Sequence, residues 1–263
     1  MFVPIAQPHS AVDACAGALR DAILEGHAPV GSRLPPEREL ADQFGVNRVT
    51  VRSALGRLAA AGLVAVRQGS GYVVRDYRRV GGPDLVGALS ELARRTGDPT
   101  PIARDLLFVR SCLAEGVLGR LAASPPTRAG LTKIAAAIDA LERRVDQNAT
   151  TAEIAEADVE VLGTILDATE SQVLRLFLNP VTSLLRDLPD LCEALYAAPR
   201  ENVLAFRALA SWLEKPDARA VQAIVFAMRA RDDDALARLA PPKRASRARP
   251  RTQSLVKAPR RGS

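Results

Sequence analysis

The 263-residue sequence predicts a mainly α fold: an N-terminal winged helix-turn-helix with one small β-hairpin, followed by an antiparallel all-helical bundle. Three observations carry that expectation. The chain is 48% hydrophobic but only 4% aromatic, with Ala and Leu dominating, a composition that favours helices packed on helices. Apolar residues recur at helical spacing over most of the length, and the period changes to short β-branched runs only after Gly62. Pro and Gly fall mainly between the helical stretches, where they punctuate rather than interrupt.

In chain order, residues 11–25 place Val12, Cys15, Leu19, Ala22 and Ile23 on one helical face, and Gly26 stops that helix. A short extended piece follows. Pro36 then suits a helix start, where its missing amide hydrogen costs nothing, and Glu37 and Glu39 sit near the positive end of the helix dipole. Gly45 breaks the chain, Asn47 caps a new helix, and RVTVRSALGRLAAA carries it to Gly62. Two short helices joined at a glycine give the helix-turn-helix outline. The runs LVAVR and YVVRDY around Gln68-Gly69-Ser70-Gly71 read as a hairpin, and a hairpin after a helix-turn-helix makes a winged helix. The domain is expected over 1–76, with a linker over 77–84 holding Gly81, Gly82 and Pro83.

From Leu85 to Leu239 the patterns are helical throughout, over 85–95, 101–122, 128–147, 151–168, 171–195, 200–214 and 217–239, with Pro180 marking a kink or restart. Residues 85–240 are expected to form one antiparallel bundle. Residues 241–263 lack apolar periodicity and are expected to be a disordered basic tail.

The net charge of +6 is unevenly spread: +3 over residues 1–80, −5 over 81–240 and +8 over the last 23. The basic balance is thus mainly the work of the tail, and any case for nucleic acid has to come from the first 80 residues. No stretch is apolar enough to span a bilayer, and the start lacks the pattern of a secretory signal. Cys15, Cys112 and Cys192, odd in number and widely spaced, read as reduced thiols of a cytoplasmic protein. Enzyme chemistry is disfavoured: residues 84–240 hold no histidine, no paired nucleophile and base, and no Gly-rich phosphate loop.

The chemistry concentrates at the second helix of the helix-turn-helix, whose N-terminal residues enter the major groove in such folds. That helix begins Asn47-Arg48-Val49-Thr50-Val51-Arg52. Val51, Ala54, Leu55 and Leu58 share the face expected to pack inward, and Arg48 and Arg52 share the opposite face. Arginine can fork onto guanine or grip a phosphate, and threonine can meet a phosphate or a thymine methyl. Gln68 and Ser70 at the hairpin tip can reach an adjacent groove.

The stretch GSRLPPERELADQFGVNRVTVRSALGRLAAAGLVAVRQGSGYVV closely resembles the DNA-binding domain of the GntR family, in its FadR-like branch. The resemblance implies DNA contacts by Arg38, Arg48, Thr50 and Arg52, with Gly69 as the wing glycine; Asn47 and Gln68 join them as candidates. Asn47 and Val49 stand where the fatty-acid-responsive members carry threonines, so a different operator sequence is expected.

The helical part resembles the FCD-type effector domain of the same branch, through DLVGALSELARR, DLLFVRSCL and AIVFAMRARDDDALARL. Most such domains hold a divalent metal with one Asp and three His. Here Asp158 stands at the Asp position, but Leu162 follows where a His would share its face, and Arg207 and Met228 or Arg231 fill the later positions. No metal and no cofactor are therefore expected. Arg110 matches an arginine that lines the ligand pocket of a metal-free member. It is either an anchor for a carboxylate, phosphate or thioester or a structural arginine paired with Asp105, Glu115 or another acid. Tyr196, Phe206 and Trp212 read as core.

The expectation is a cytoplasmic, nucleoid-associated, homodimeric regulator that binds a palindromic double-stranded operator. It would sense a small, anionic metabolite, an organic acid or acyl-CoA-like compound, without metal. The alternative is a ligand-independent architectural DNA-binding protein.

Overall fold

The computed structural model describes residues 11–67, 69, 71–176 and 188–239. Gln68, Ser70, Pro180 and the basic tail, on which expectations were placed above, lie outside the described residues.

The N-terminal part is a winged helix. Helix α1 (Ala11–Leu24) ends at Gly26, whose φ of 82° is the left-handed conformation that glycine adopts without steric cost. Helix α2 (Glu37–Phe44) ends at Gly45 in the same way, and α3 (Arg48–Ala60) follows after three residues. The inward face of α3 forms as its periodicity predicts: Val51, Ala54 and Leu55 are fully buried and Leu58 nearly so, against Cys15, Leu19, Ile23, Leu40 and Ala41. Removing a buried leucine from such a cluster typically costs about 2–5 kcal/mol, so this contact fixes the angle between the helices.

Strands β1 (Val64–Arg67) and β2 (Gly71–Val74) pair antiparallel with Val64 opposite Val74 and Arg67 opposite Gly71. The extended piece before α2 joins them as a third rung, with Leu34 donating to the Tyr72 carbonyl at 2.9 Å and an Arg33–Val73 bridge.

The stretch read as a linker contains one turn of helix, α4 (Tyr77–Val80), capped by the Asp76 side chain. The flanking glycines had hidden a cap that a single Asp supplies. Helix α5 (Leu85–Thr96) starts with its first residue inside the N-terminal core, and Arg95 near its end pairs with Asp21 of α1 at 3.0 Å. Winged helix and bundle are thus joined by a helix that packs on α1 and leads, through a turn at Gly97, Asp98 and Pro99, into α6.

The bundle comprises α6 (Thr100–Ala123), α7 (Arg128–Asp146), α8 (Thr151–Asp167), α9 (Pro189–Leu195), α10 (Pro199–Glu214) and α11 (Val221–Leu239), with further helical residues at 172–176. Thr127 caps α7, and Thr150 and Glu153 form a reciprocal capping box on α8, so both starts are locally encoded. Leu121, Ile134, Ile138, Leu141, Val161 and Leu213 form its fully buried centre. Helices α6 and α11 run antiparallel, as the successive partners Arg110–Asp232, Ser111–Arg229 and Glu115–Gln222 show.

One expectation is corrected. The segment 171–195 is not one helix: Leu188 is non-helical, with φ −117° and ψ 77°, and Pro189 opens α9. Pro189 was the signal to weigh, because it occupies the first helical turn, where proline fits.

Candidate DNA-reading face and effector cavity

At the start of α3, Asn47 Oδ1 accepts from the Thr50 backbone amide at 2.8 Å and from the Thr50 hydroxyl at 3.1 Å. Asn47 and Thr50 are therefore partly committed to each other, as cap and first turn. Arg48 and Arg52 are exposed on the face away from the core, as is Arg38 on α2. Arg52 is braced: Glu37 of α2 takes its guanidinium at 2.7 and 3.1 Å. That hydrogen bond, helped by the charges of Arg52 and Arg48, holds the Glu37 carboxyl below the usual range. Arg48 has no ion-pair partner among the described residues.

Val49, noted above as a departure from the threonine of the fatty-acid-responsive members and not as a contact, stands beside these arginines at 71% exposure. Its signal was available, because an apolar side chain on the solvent face of a capped helix suits a thymine methyl. Arg57, by contrast, is tied back to Asp13 of α1, away from this face. Gly69 sits at the hairpin tip with φ 73°.

The bundle holds an open cavity of about 540 Å³ between α6, α8, α10 and α11, within the range of small-molecule sites. Its walls are mainly apolar, and they include Tyr196, Phe206 and Trp212. The assignment of those three to the core is corrected to this extent: each packs against the core on one side and walls the cavity on the other. Helical spacing cannot separate these two roles, since both require an inward apolar side chain.

The polar groups gather among Arg110, Asp158, Tyr196, Asn202, Arg231 and Asp232. Arg110 does line the cavity, and its guanidinium is ion-paired with Asp232 of α11. Arg231 donates to Asn202 Oδ1. Burial pushes the Asp158 carboxyl up to about 6, even though Arg110 and Arg231 lie close and the Tyr196 hydroxyl donates to it. Burial also raises Asp232 and Tyr196.

This set does not fit the divalent metal that the resemblance to FCD-type domains would imply. Asp158 has Leu162 one turn on, with Asn202, Met228 and Arg231 across the cavity. Arg207 faces away and pairs with Asp139 at 2.6 Å and with Glu142. Two guanidiniums occupy the place where a cation's charge would be needed, and among the described residues no three His, Cys, Asp or Glu side chains converge.

Residues 12–74 match the family model described as bacterial regulatory proteins, gntR family. An HTH-type transcriptional regulator of Mycobacterium tuberculosis is 38% identical over 161 residues, 61% of this chain and 62% of that protein. The Uxu operon transcriptional regulator of Escherichia coli is 33% identical over 156 residues, 59% of this chain and 57% of that protein. The fatty acid metabolism regulator protein of Haemophilus influenzae is 33% identical over 101 residues, 38% of this chain and 41% of that protein. The chain thus spans less than two thirds of each of these relatives. In fold, the Listeria monocytogenes protein Lar, described as controlling expression of the agr system, superposes with a TM-score of 0.58 at 16% identity, over 89% of this chain and all of that one. Over residues 12–74 the N-terminal winged helix of this chain is similar to the gntR family of bacterial regulatory proteins.

Proposed function

We propose that the protein is a sequence-specific transcriptional regulator of the FadR-like branch, with residues 85–240 acting as an FCD-type effector and dimerisation domain. It reads a palindromic operator as a cytoplasmic homodimer, and Arg38, Arg48, Thr50 and Arg52 make the principal contacts, with Asn47, Gln68 and Gly69 beside them. The effector is a small molecule with a carboxylate-bearing head and an apolar body, held in the cavity without a metal and met by Arg110. Among the described residues no helix is long and apolar enough to cross a membrane.

The observation that carries this reading is the link from α1 through the end of α5 into α6, across the turn at Gly97, Asp98 and Pro99. Arg95, in the last turn of α5, is ion-paired to Asp21 of α1, and α6, starting five residues on, carries Arg110 into the cavity wall. An effector that prefers one disposition of the winged helices can shift their equilibrium by its differential affinity for the two arrangements.

The test is selection of bound sequences from random DNA, followed by operator binding in the presence of candidate metabolites. A palindromic consensus whose binding changes on addition of a small molecule supports the regulator. Binding without sequence preference, and insensitive to every ligand that stabilises the fold, would instead indicate an architectural DNA-binding protein.

A further inference from the structure

The charged end of the cavity is balanced before any ligand enters it. Arg110 is paired with Asp232, Arg231 donates to Asn202, and Asp158 accepts from Tyr196. Over the whole lining, the three arginines Arg110, Arg231 and Arg238 stand against the four acids Asp158, Glu201, Asp232 and Asp234. A lone carboxylate would find the Arg110 guanidinium already engaged and would add negative charge to a lining that already holds more acids than arginines, which a poorly solvated site resists.

Two buried atoms at this end have no hydrogen-bond partner among the described residues: Nε of Arg110, a donor, and Oδ2 of Asp232, an acceptor. They belong to the two members of one ion pair. A ligand that parts the pair must therefore offer an acceptor to one side and a donor to the other, or leave a buried charge uncompensated.

We infer that the effector is a zwitterion, with a carboxylate and an ammonium on the same carbon of an apolar body, as in an α-amino acid with a large aliphatic or aromatic side chain. Its carboxylate takes Arg110, backed by Arg231. Its ammonium takes Asp232, backed by Asp158. Every charge at the site then has an opposite neighbour, and the net charge is unchanged. The apolar body lies along Phe206 and Trp212. A cation beside the two aspartates also relieves the desolvation that raises both carboxyls. The inference rests on the reading of this cavity as the effector site.

Trp212 is the chain's sole tryptophan and lies in the cavity wall, so its emission reports occupancy in the full-length protein. Three matched triads serve as probes: leucine, 4-methylpentanoate and 3-methylbutylamine; phenylalanine, 3-phenylpropionate and phenethylamine; 2-aminodecanoate, decanoate and nonylamine. In at least one triad the amino acid should bind at least tenfold more tightly than both the acid and the amine. Asp232→Asn should reduce that preference below threefold by removing the ammonium's counter-charge, and Asp158→Asn should weaken it in the same direction if the first variant folds poorly. An acid that binds as tightly as its amino acid in every triad, or no amino acid bound at all, overturns the inference. If an acid binds and changes operator affinity, the effector reading stands while the zwitterion falls. If no selected operator is bound with or without ligand, the regulator reading itself fails.

Discussion

The molecule contains the same chemical pair twice, in opposite settings. At the proposed reading face the Arg52 and Glu37 side chains are 69% and 24% exposed; in the bundle those of Arg110 and Asp232 are 23% and 6% exposed. In water such a pair is nearly neutral in stability, and its arginine can exchange the carboxylate for a phosphate or a base at little cost. Out of water, breaking the pair is expensive unless something replaces both partners. The exposed pair suits transient contacts with DNA, whereas the buried pair suits discrimination of what enters the cavity.

The largest test of that contrast is removal of each acid in turn. Asp232→Ala leaves a largely buried guanidinium unpaired and should destabilise the fold by about 3–5 kcal/mol in denaturant unfolding. Glu37→Ala should cost less than about 1 kcal/mol, because Arg52 is solvated without it. Equal losses in the two variants would break the comparison.

The second test uses pH. The folded-state carboxyl of Asp158 lies at about 6, above its unfolded value, so the folded protein binds the extra proton between roughly pH 4 and 6. Stability from this group is therefore present below that window and lost as pH rises through it. Asp158→Asn, which cannot ionise, should gain on the wild type by up to on the order of 3 kcal/mol between pH 4 and pH 7. A difference between the two proteins that stays flat over that range would place Asp158 in a more solvated setting than the structure gives it.

At the reading face the expected effects are smaller and fall on binding rather than folding. Arg48→Ala should lose about 1–3 kcal/mol of operator affinity, read by gel shift at fixed salt, with an unchanged melting temperature. Retention of affinity within twofold would remove Arg48 from the reading surface. The smallest expected effect is none: a chelator should leave the melting temperature unchanged, because the residues around Asp158 do not suit a divalent ion. A fall on chelation, reversed by added zinc or manganese, would contradict that account.

How far the sequence could be read follows from the same contrast. The winged helix is written in local signals: Gly45 for the left-handed turn, Asn47 for the cap, and the fully buried Val51, Ala54 and Leu55 at helical spacing. Each can be recognised within a few residues of its effect. The cavity is written in long-range partners. Arg110 could be singled out, but its partner lies 122 residues away, and nothing in helical periodicity says that α6 packs on α11 rather than on α7. The register of α10 was misjudged for the same reason, since Arg207 faces α7 while Asn202 and Phe206 face the cavity. Pro189 escaped because leucines at helical spacing (Leu184, Leu188, Leu191 and Leu195) continue across it.

The claim that joins the two regions is that filling the cavity alters the reading face. It is tested most directly by following Trp212 emission and the anisotropy of a labelled, selected operator in one titration, over a library of small carboxylates and amino acids. Compounds that move the Trp212 signal should change operator affinity by at least about fivefold, the lower end of ordinary allosteric coupling, with both signals reaching half-change at the same ligand concentration. Compounds that saturate the Trp212 signal while operator affinity stays within twofold would show a cavity uncoupled from DNA and contradict the account.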